Sequence, residues 1–238
     1  MLPILEITRL FQSIVDPLQM VLHGVPISQA VRYPPTDHSD MLLLHEWMRN
    51  GARYTLSVIQ RYVDFGTVER LLDVGGGDGT MALELWRSFS NIKITVFNMP
   101  GPATMVQEQA ARLGAWDRVS ALPGDFRTDA LPGGNDMVMY SRVLADWPPE
   151  LCRELLKKAH TALLPEGKLI IAEPLADQNP DLAMAWEYSY LPYDDFGLHC
   201  YKTLPFYIQL LVETGFKIVS VHPRDETTIH CVIVAQKI

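Results

Sequence analysis

The chain has 238 residues, 48% of them hydrophobic and 20% charged, which is enough for one sizeable core and ordinary for a soluble globular protein. A formal net charge of −8 with no Lys/Arg block argues against a nucleic-acid backbone or an anionic membrane as main partner, and leaves a small molecule as the expected one. Scattered Cys152, Cys200 and Cys231, without a C-x-x-C pair, signal-peptide pattern or membrane-length apolar run, point to a reducing, cytoplasmic setting.

Residues 1–66 read as a helical cap. The apolar segments "ILEITRLFQSIV" and "PLQMVLHGV" come first and offer surfaces through which two chains could pair. After the Pro-rich "YPPTDHSD", a helix is predicted from about Met41 to Tyr62, because Met48, Ala52, Leu56, Ile59 and Val63 recur at helical spacing. That face packs on the body of the protein. Whether Trp47 and Met48 also wall a substrate pocket stays open, since pockets in such folds often form between a core and a cap.

Residues 67–238 alternate strand-like and helical patterns. The strands read "RLLDVG", "KITVFN", a short run before "GDFRTD", "DMVMYSRVL" and "KLIIAEPL", with helices predicted from Met81, Ala103, Glu150 and Leu204. "KIVSVH" and "IHCVIVA" then follow too closely to be joined by a crossover, so the last strand is expected to be antiparallel. The pattern describes an α/β fold, a doubly wound Rossmann-like sheet of seven strands with its ligand at the carboxyl end of the first strand.

The loop at that end, "DVGGGDGT", places three alternating glycines, Gly75, Gly77 and Gly79, behind Asp73 in a strand-to-helix turn. A dinucleotide is one reading, but Asp78 inside the loop would repel a pyrophosphate. A cationic ligand fits better, and Asp73 with Asp78 suits an amino-acid moiety. Asn98, ending the next strand, is placed to hold a ribose diol or to cap a turn, and Asp125 beside Phe126 to accept from an adenine amino group or to make a simple turn.

Taken in order, "LLDVGGGDGT", "GDF", "DMVMYSRVLADW", "LLPEGKLIIAEPL" and "VETGF" resemble the S-adenosylmethionine-dependent small-molecule O-methyltransferases, the family of plant caffeate-type and bacterial polyketide and carotenoid enzymes. The resemblance runs from about Trp47 to the carboxyl terminus. It implies S-adenosyl-L-methionine as cofactor, with Asp73, Gly75 and Gly77 at its methionine end and Asn98 and Met99 at the ribose. Asp125, Phe126 and Trp147 would line the adenine, and Ser141 and Arg142 the methionine carboxylate. The acceptor implied is a small aromatic or polyene secondary metabolite, methylated on oxygen in preference to carbon or nitrogen.

Two departures from the family pattern bear on mechanism. Where the family carries "LHDW", with His as the general base, this chain reads "LADW", and Ala145 has no proton acceptor. Glu173 matches the acid that orients that His. Three expectations follow: transfer by proximity to an already nucleophilic acceptor, a substitute base at His199, or a protein that binds the cofactor but has lost methyl transfer and serves as a scaffold or non-methylating catalyst. The family also carries a winged-helix-like dimerisation domain before this point. Here only its last helices are recognisable, as in a naturally short form or a fragment.

Overall fold

A computed structural model describes residues 38–181, 183–184, 201–226 and 228–238; within the first helix the side chains of residues 38–44, 46 and 47 lie outside that description. That helix, α1 (His38–Tyr62), starts three residues before the expected Met41. It is followed by β1 (Arg70–Val74), α2 (Thr80–Ser88), β2 (Lys93–Asn98), α3 (Pro100–Leu113), β3 (Val119–Pro123) and β4 (Asn135–Ser141). A 3₁₀ turn (Leu144–Asp146), α4 (Pro149–Ala162), β5 (Leu163–Pro174), α5 (Leu204–Glu213), β6 (Phe216–His222) and β7 (His230–Lys237) complete the order.

The strands form one seven-stranded sheet in the order β3-β2-β1-β4-β5-β7-β6. β1 to β5 are parallel, and β7 lies antiparallel between β5 and β6, as the short connection required. The sheet separates two cores because successive strand residues point to opposite faces. Leu71, Ile94, Met139 and Ile170 pack beneath α1, α2 and α3 together with Ile59, Leu85 and Val106. Leu72, Val138, Ile171 and Ile233 pack on the other face with Leu155, Leu156, Tyr207 and Leu211 of α4 and α5.

The predicted face of α1 is the buried one. Leu56, Ile59 and Val63 are at most 7% exposed, and α1 docks on α2 and β7. Two of the boundaries that differ from the sequence reading have a local cause. α3 begins at Pro100 rather than Ala103, since proline lacks only an N–H that has no partner in a first helical turn. β4 stops at Ser141 instead of running through "RVL", because Arg142 takes a left-handed backbone, φ 56°, and turns the chain into the 3₁₀ turn. Strand order reverses between β1 and β4, so their carboxyl ends open the crevice where such sheets bind ligands.

Candidate active site at the carboxyl edge of the sheet

The chain leaves β1 through a tight turn in which the Gly75 N–H donates to Phe97 O (2.9 Å) and the Gly77 N–H to Gly75 O (2.7 Å). Gly75 and Gly77 are at φ 73° and 59°, a region that disfavours any side chain. A β-carbon on Gly75 would also meet Val143 Cγ2 at 2.8 Å. No β-carbon fits at Gly76 either, because the Asp73 carboxylate lies against it. The turn therefore presents bare backbone, backed by an acid.

Asp73 is 1% exposed and neither carboxylate oxygen has a hydrogen-bond partner. Burial pushes its pKa up to about 7. The same condition recurs around it: Ser141 Oγ at the end of β4, Glu173 Oε2 at the end of β5 and Trp147 Nε1 are buried without partners, and of the other such atoms Trp86 Nε1 lies away on α2. Buried polar groups without partners are rare and costly. Their convergence on the carboxyl ends of β1, β4 and β5 marks a place built for a polar ligand.

Glu173 divides its carboxylate. Oε1 accepts from the Val143 and Leu144 N–H groups at 2.7 and 2.8 Å, holding the 3₁₀ turn against β5, while Oε2 stays unpartnered. Burial, with the nearby charge of Asp146, raises its pKa to about 8. Asp146 is also raised, to about 7, by burial against the opposing pull of Lys202 and Arg142. Ala145, the residue before Asp146, is 2% exposed and packs with Ala183 and Tyr201; its carbonyl accepts from Lys202 Nζ at 2.7 Å.

Asn98 is engaged within the loop region: Oδ1 accepts from the Met99 N–H (2.8 Å) and Nδ2 donates to Gly77 O (3.3 Å). It ties β2 to the glycine turn, and Met99 opens α3. Asp125 is clamped by Arg127, whose Nε and Nη2 reach its oxygens at 2.7 to 3.1 Å and hold its pKa down. Phe126 meets Trp147 edge-on at 5.7 Å, with the Arg127 guanidinium 5.4 Å from the indole. Trp147, Phe126 and Arg127 thus form one aromatic and cationic wall.

Asp78 is not available as a ligand group. Oδ2 accepts from Arg49 Nε (2.8 Å) and is ion-paired with Nη2 (2.7 Å), and Oδ1 accepts from the Thr80 N–H and hydroxyl (3.1 and 2.6 Å), so Asp78 ties the start of α2 to α1. Arg142 also turns to α1, with Nη2 donating to Met48 O at 3.0 Å. The sequence reading missed Arg49, His45, Arg127, Asp146 and His230. His45 is 6% exposed with Nδ1 beside Gly77. His230 lies within 3.5 Å of Thr55 and Thr228, its pKa pushed down to about 3 by burial and the charge of Arg142. Met48 is half-buried; the side chain of Trp47, His199 and the amino-terminal segments expected to pair chains fall outside the described residues. Among the described residues no group of His, Cys, Asp or Glu is arranged to hold a metal, and no helix is long and apolar enough to cross a membrane.

A family model described as an O-methyltransferase domain matches residues 18–192. A bacteriochlorophyllide d C-20 methyltransferase of Chlorobaculum tepidum is 28% identical over 206 residues, covering 82% of this chain and 61% of that protein. An L-tyrosine C(3)-methyltransferase of Streptomyces lavendulae is 31% identical over 137 residues, 58% of this chain and 37% of that one. A demethylspheroidene O-methyltransferase of Rhodobacter capsulatus is 29% identical over 182 residues, 73% of this chain and 45% of that one. The chain thus spans at most 61% of the length of these relatives. Among solved structures, the apo form of the S-adenosylmethionine-dependent methyltransferase SibL matches with a TM-score of 0.70 and 28% identity, over 82% of this chain and 56% of that one. The mitomycin 7-O-methyltransferase MmcR shares the fold, with a TM-score of 0.76 at 21% identity over 97% of this chain and 67% of that one.

Proposed function

Because the chain belongs to the O-methyltransferase domain family, we propose that it transfers a methyl group from S-adenosylmethionine to a small aromatic or polyene secondary metabolite, with oxygen the favoured acceptor atom. The observation that carries this reading is the convergence of polar atoms of Asp73, Ser141, Trp147 and Glu173, buried and short of partners, beside a backbone cradle that no side chain fits. When bound, the cofactor supplies an electrophilic methyl on a sulfonium. Its donor set fits these residues: Asp73 offers an acceptor to an ammonium or hydroxyl, Gly75 and Gly77 offer bare backbone, and Phe126 with Trp147 offers an apolar wall for a base.

In this reading Ser141 lies at the methionine end, while Asn98 and Met99 frame the ribose and hold the glycine turn. Asp125, already paired with Arg127, sits at the adenine rim. Glu173 acts through the 3₁₀ turn that it holds by two backbone N–H groups. Position 145 supplies no base, so the acceptor must bring its own nucleophile, and orientation beside the methyl supplies the rate. A carbon acceptor is the second reading: relatives at 28% and 31% identity are named for transfer to C-20 and to C(3) of their substrates, and an electron-rich ring carbon attacks without losing a proton first.

Calorimetry with S-adenosylmethionine and with NAD tests the cofactor; binding of NAD but not of S-adenosylmethionine would overturn the proposal. Single-turnover transfer to substituted phenols of graded acidity tests the mechanism. The rate should follow acceptor ionisation, and Ala145→His should help the least acidic phenols most. General-base catalysis contributes about 10² to 10⁴ in rate. A drop of that size in His199→Asn alone, with cofactor affinity intact, would assign the base to His199 and end the proximity mechanism. Transfer to no acceptor of any kind would favour a cofactor-binding protein without methyl transfer.

A further inference from the structure

Two local irregularities, each unfavourable by itself, meet at one point. Gly51 lies inside the 25-residue helix α1, where glycine is a poor helix former. Arg142 is one of two described non-glycine residues with a left-handed backbone, the other being Glu166 in β5. The Arg142 guanidinium lies in the place that a β-carbon at Gly51 would occupy, and Nη2 donates to the carbonyl of Met48 one turn earlier. Strained backbone persists where the surroundings fix it, commonly at functional sites. The glycine and the strained arginine therefore form a notch and its key.

The notch holds more than a helix face. Four residues beyond Gly51, Thr55 Oγ1 donates back to Gly51 O (3.0 Å) and faces the His230 ring at 3.5 Å. On the amino-terminal side, Arg49 grips Asp78 inside the glycine loop, and His45 is buried against Gly77. One helix thus touches the glycine turn at residues 45 and 49 and the end of β4 at residues 48 and 51. Leu56 and Ile59, with Val63 just past the end of the helix, hold the carboxyl-terminal half of α1 through apolar burial; the half above the site makes these polar contacts.

We propose that Arg142 is a positioning residue: by keying into the notch at Gly51 it seats the first half of α1 on the carboxyl edge of the sheet, and that seating, together with Arg49 on Asp78, holds the glycine turn in its ligand-binding shape. The part that concerns ligand affinity rests on the function proposed above; the seating does not. The guanidinium reaches α1 only because position 51 has no side chain. A methyl group there makes it swing away and lose Met48 O, even though alanine is the better helix former.

Gly51→Ala therefore separates the proposal from ordinary helix energetics. Amide hydrogen exchange on the full chain should show faster exchange at α1 amides 49–55 in Gly51→Ala than in wild type, with amides 59–62 unchanged. In an Arg142→Ala background the sign should reverse, Gly51→Ala slowing exchange relative to Arg142→Ala alone. S-adenosylhomocysteine, the probe for the glycine turn, should bind Gly51→Ala and Arg49→Gln about tenfold more weakly than wild type, the scale of one lost charge-assisted bond. Arg49→Lys should recover part of the loss.

Slower exchange in Gly51→Ala than in wild type, or the same response in both backgrounds, would overturn the seating. Unchanged S-adenosylhomocysteine affinity in a Gly51→Ala protein whose α1 has loosened would overturn the link to the turn. Failure of wild type to bind S-adenosylhomocysteine would instead remove the proposed function, and the exchange measurements would still decide the notch.

Discussion

Asp73 carries the sharpest chemistry in the molecule, because a carboxylate stripped of both water and partners is unstable unless a ligand completes it. Asp73→Asn should weaken S-adenosylmethionine binding by about 1.5 to 3 kcal/mol, the worth of a hydrogen bond to a charged group, while thermal unfolding of the unliganded protein at pH 8 shifts upward or stays. A fall in both affinity and melting temperature would mean that Asp73 supports the fold rather than the ligand. Since burial raises its pKa to about 7, a cationic ligand should release a proton on binding below that pH, and affinity should rise from pH 6 to pH 8. Calorimetry in buffers of different ionisation enthalpy reads that proton directly. The glycine turn behind Asp73 was legible in the sequence because a local segment contains its whole arrangement. The partner of Asp78 was not, because Arg49, which pairs with it, is distant in sequence. Gly51 was the one available hint of the arginine that fills its notch, and a helix-interior glycine alone does not say what approaches it.

The strands were legible because buried parallel strands are short continuous apolar runs, and because the spacing before β7 left no room for a crossover. Their ends were less so: Arg142 ends β4 through a backbone angle that no residue pattern announces. Capping is where an element's stability can be tested without touching its core. The Thr203 side chain accepts from the Phe206 N–H at 3.3 Å at the start of α5, whose Tyr207 and Leu211 close one face of the sheet. Thr203→Ala should cost about 1 kcal/mol in urea unfolding with no change in the slope of the transition. Ile59→Ala, which removes a fully buried side chain from α1, should cost about 2 to 5 kcal/mol. If Ile59→Ala cost no more than Thr203→Ala, α1 would not be an integral part of the described body.

The whole molecule concentrates its electrostatic cost on one edge. Asp73, Asp146 and Glu173 have pKa values raised to about 7, 7 and 8, so in the folded state they hold protons that the unfolded chain, with ordinary carboxyl groups, releases near pH 4. Their contribution is full below that pH and is lost as pH climbs toward 8. Melting of the unliganded protein should therefore decline from pH 5 to pH 8, and saturating S-adenosylmethionine should flatten the decline. A flat profile without ligand would mean that these acids titrate normally. The order of the sheet has a separate consequence for synthesis. β7 hydrogen-bonds to β5 on one side and β6 on the other, yet of these elements it is the last to leave a ribosome. The parallel half, β1 to β5, emerges with the edge that carries Glu173 open, and β6 has no neighbour to join until residues 230–237 clear the exit tunnel. A nascent chain of this protein would hold its glycine turn early and its closed sheet late, and would offer any chaperone at the tunnel mouth an unpaired β5 edge for as long as β7 takes to arrive.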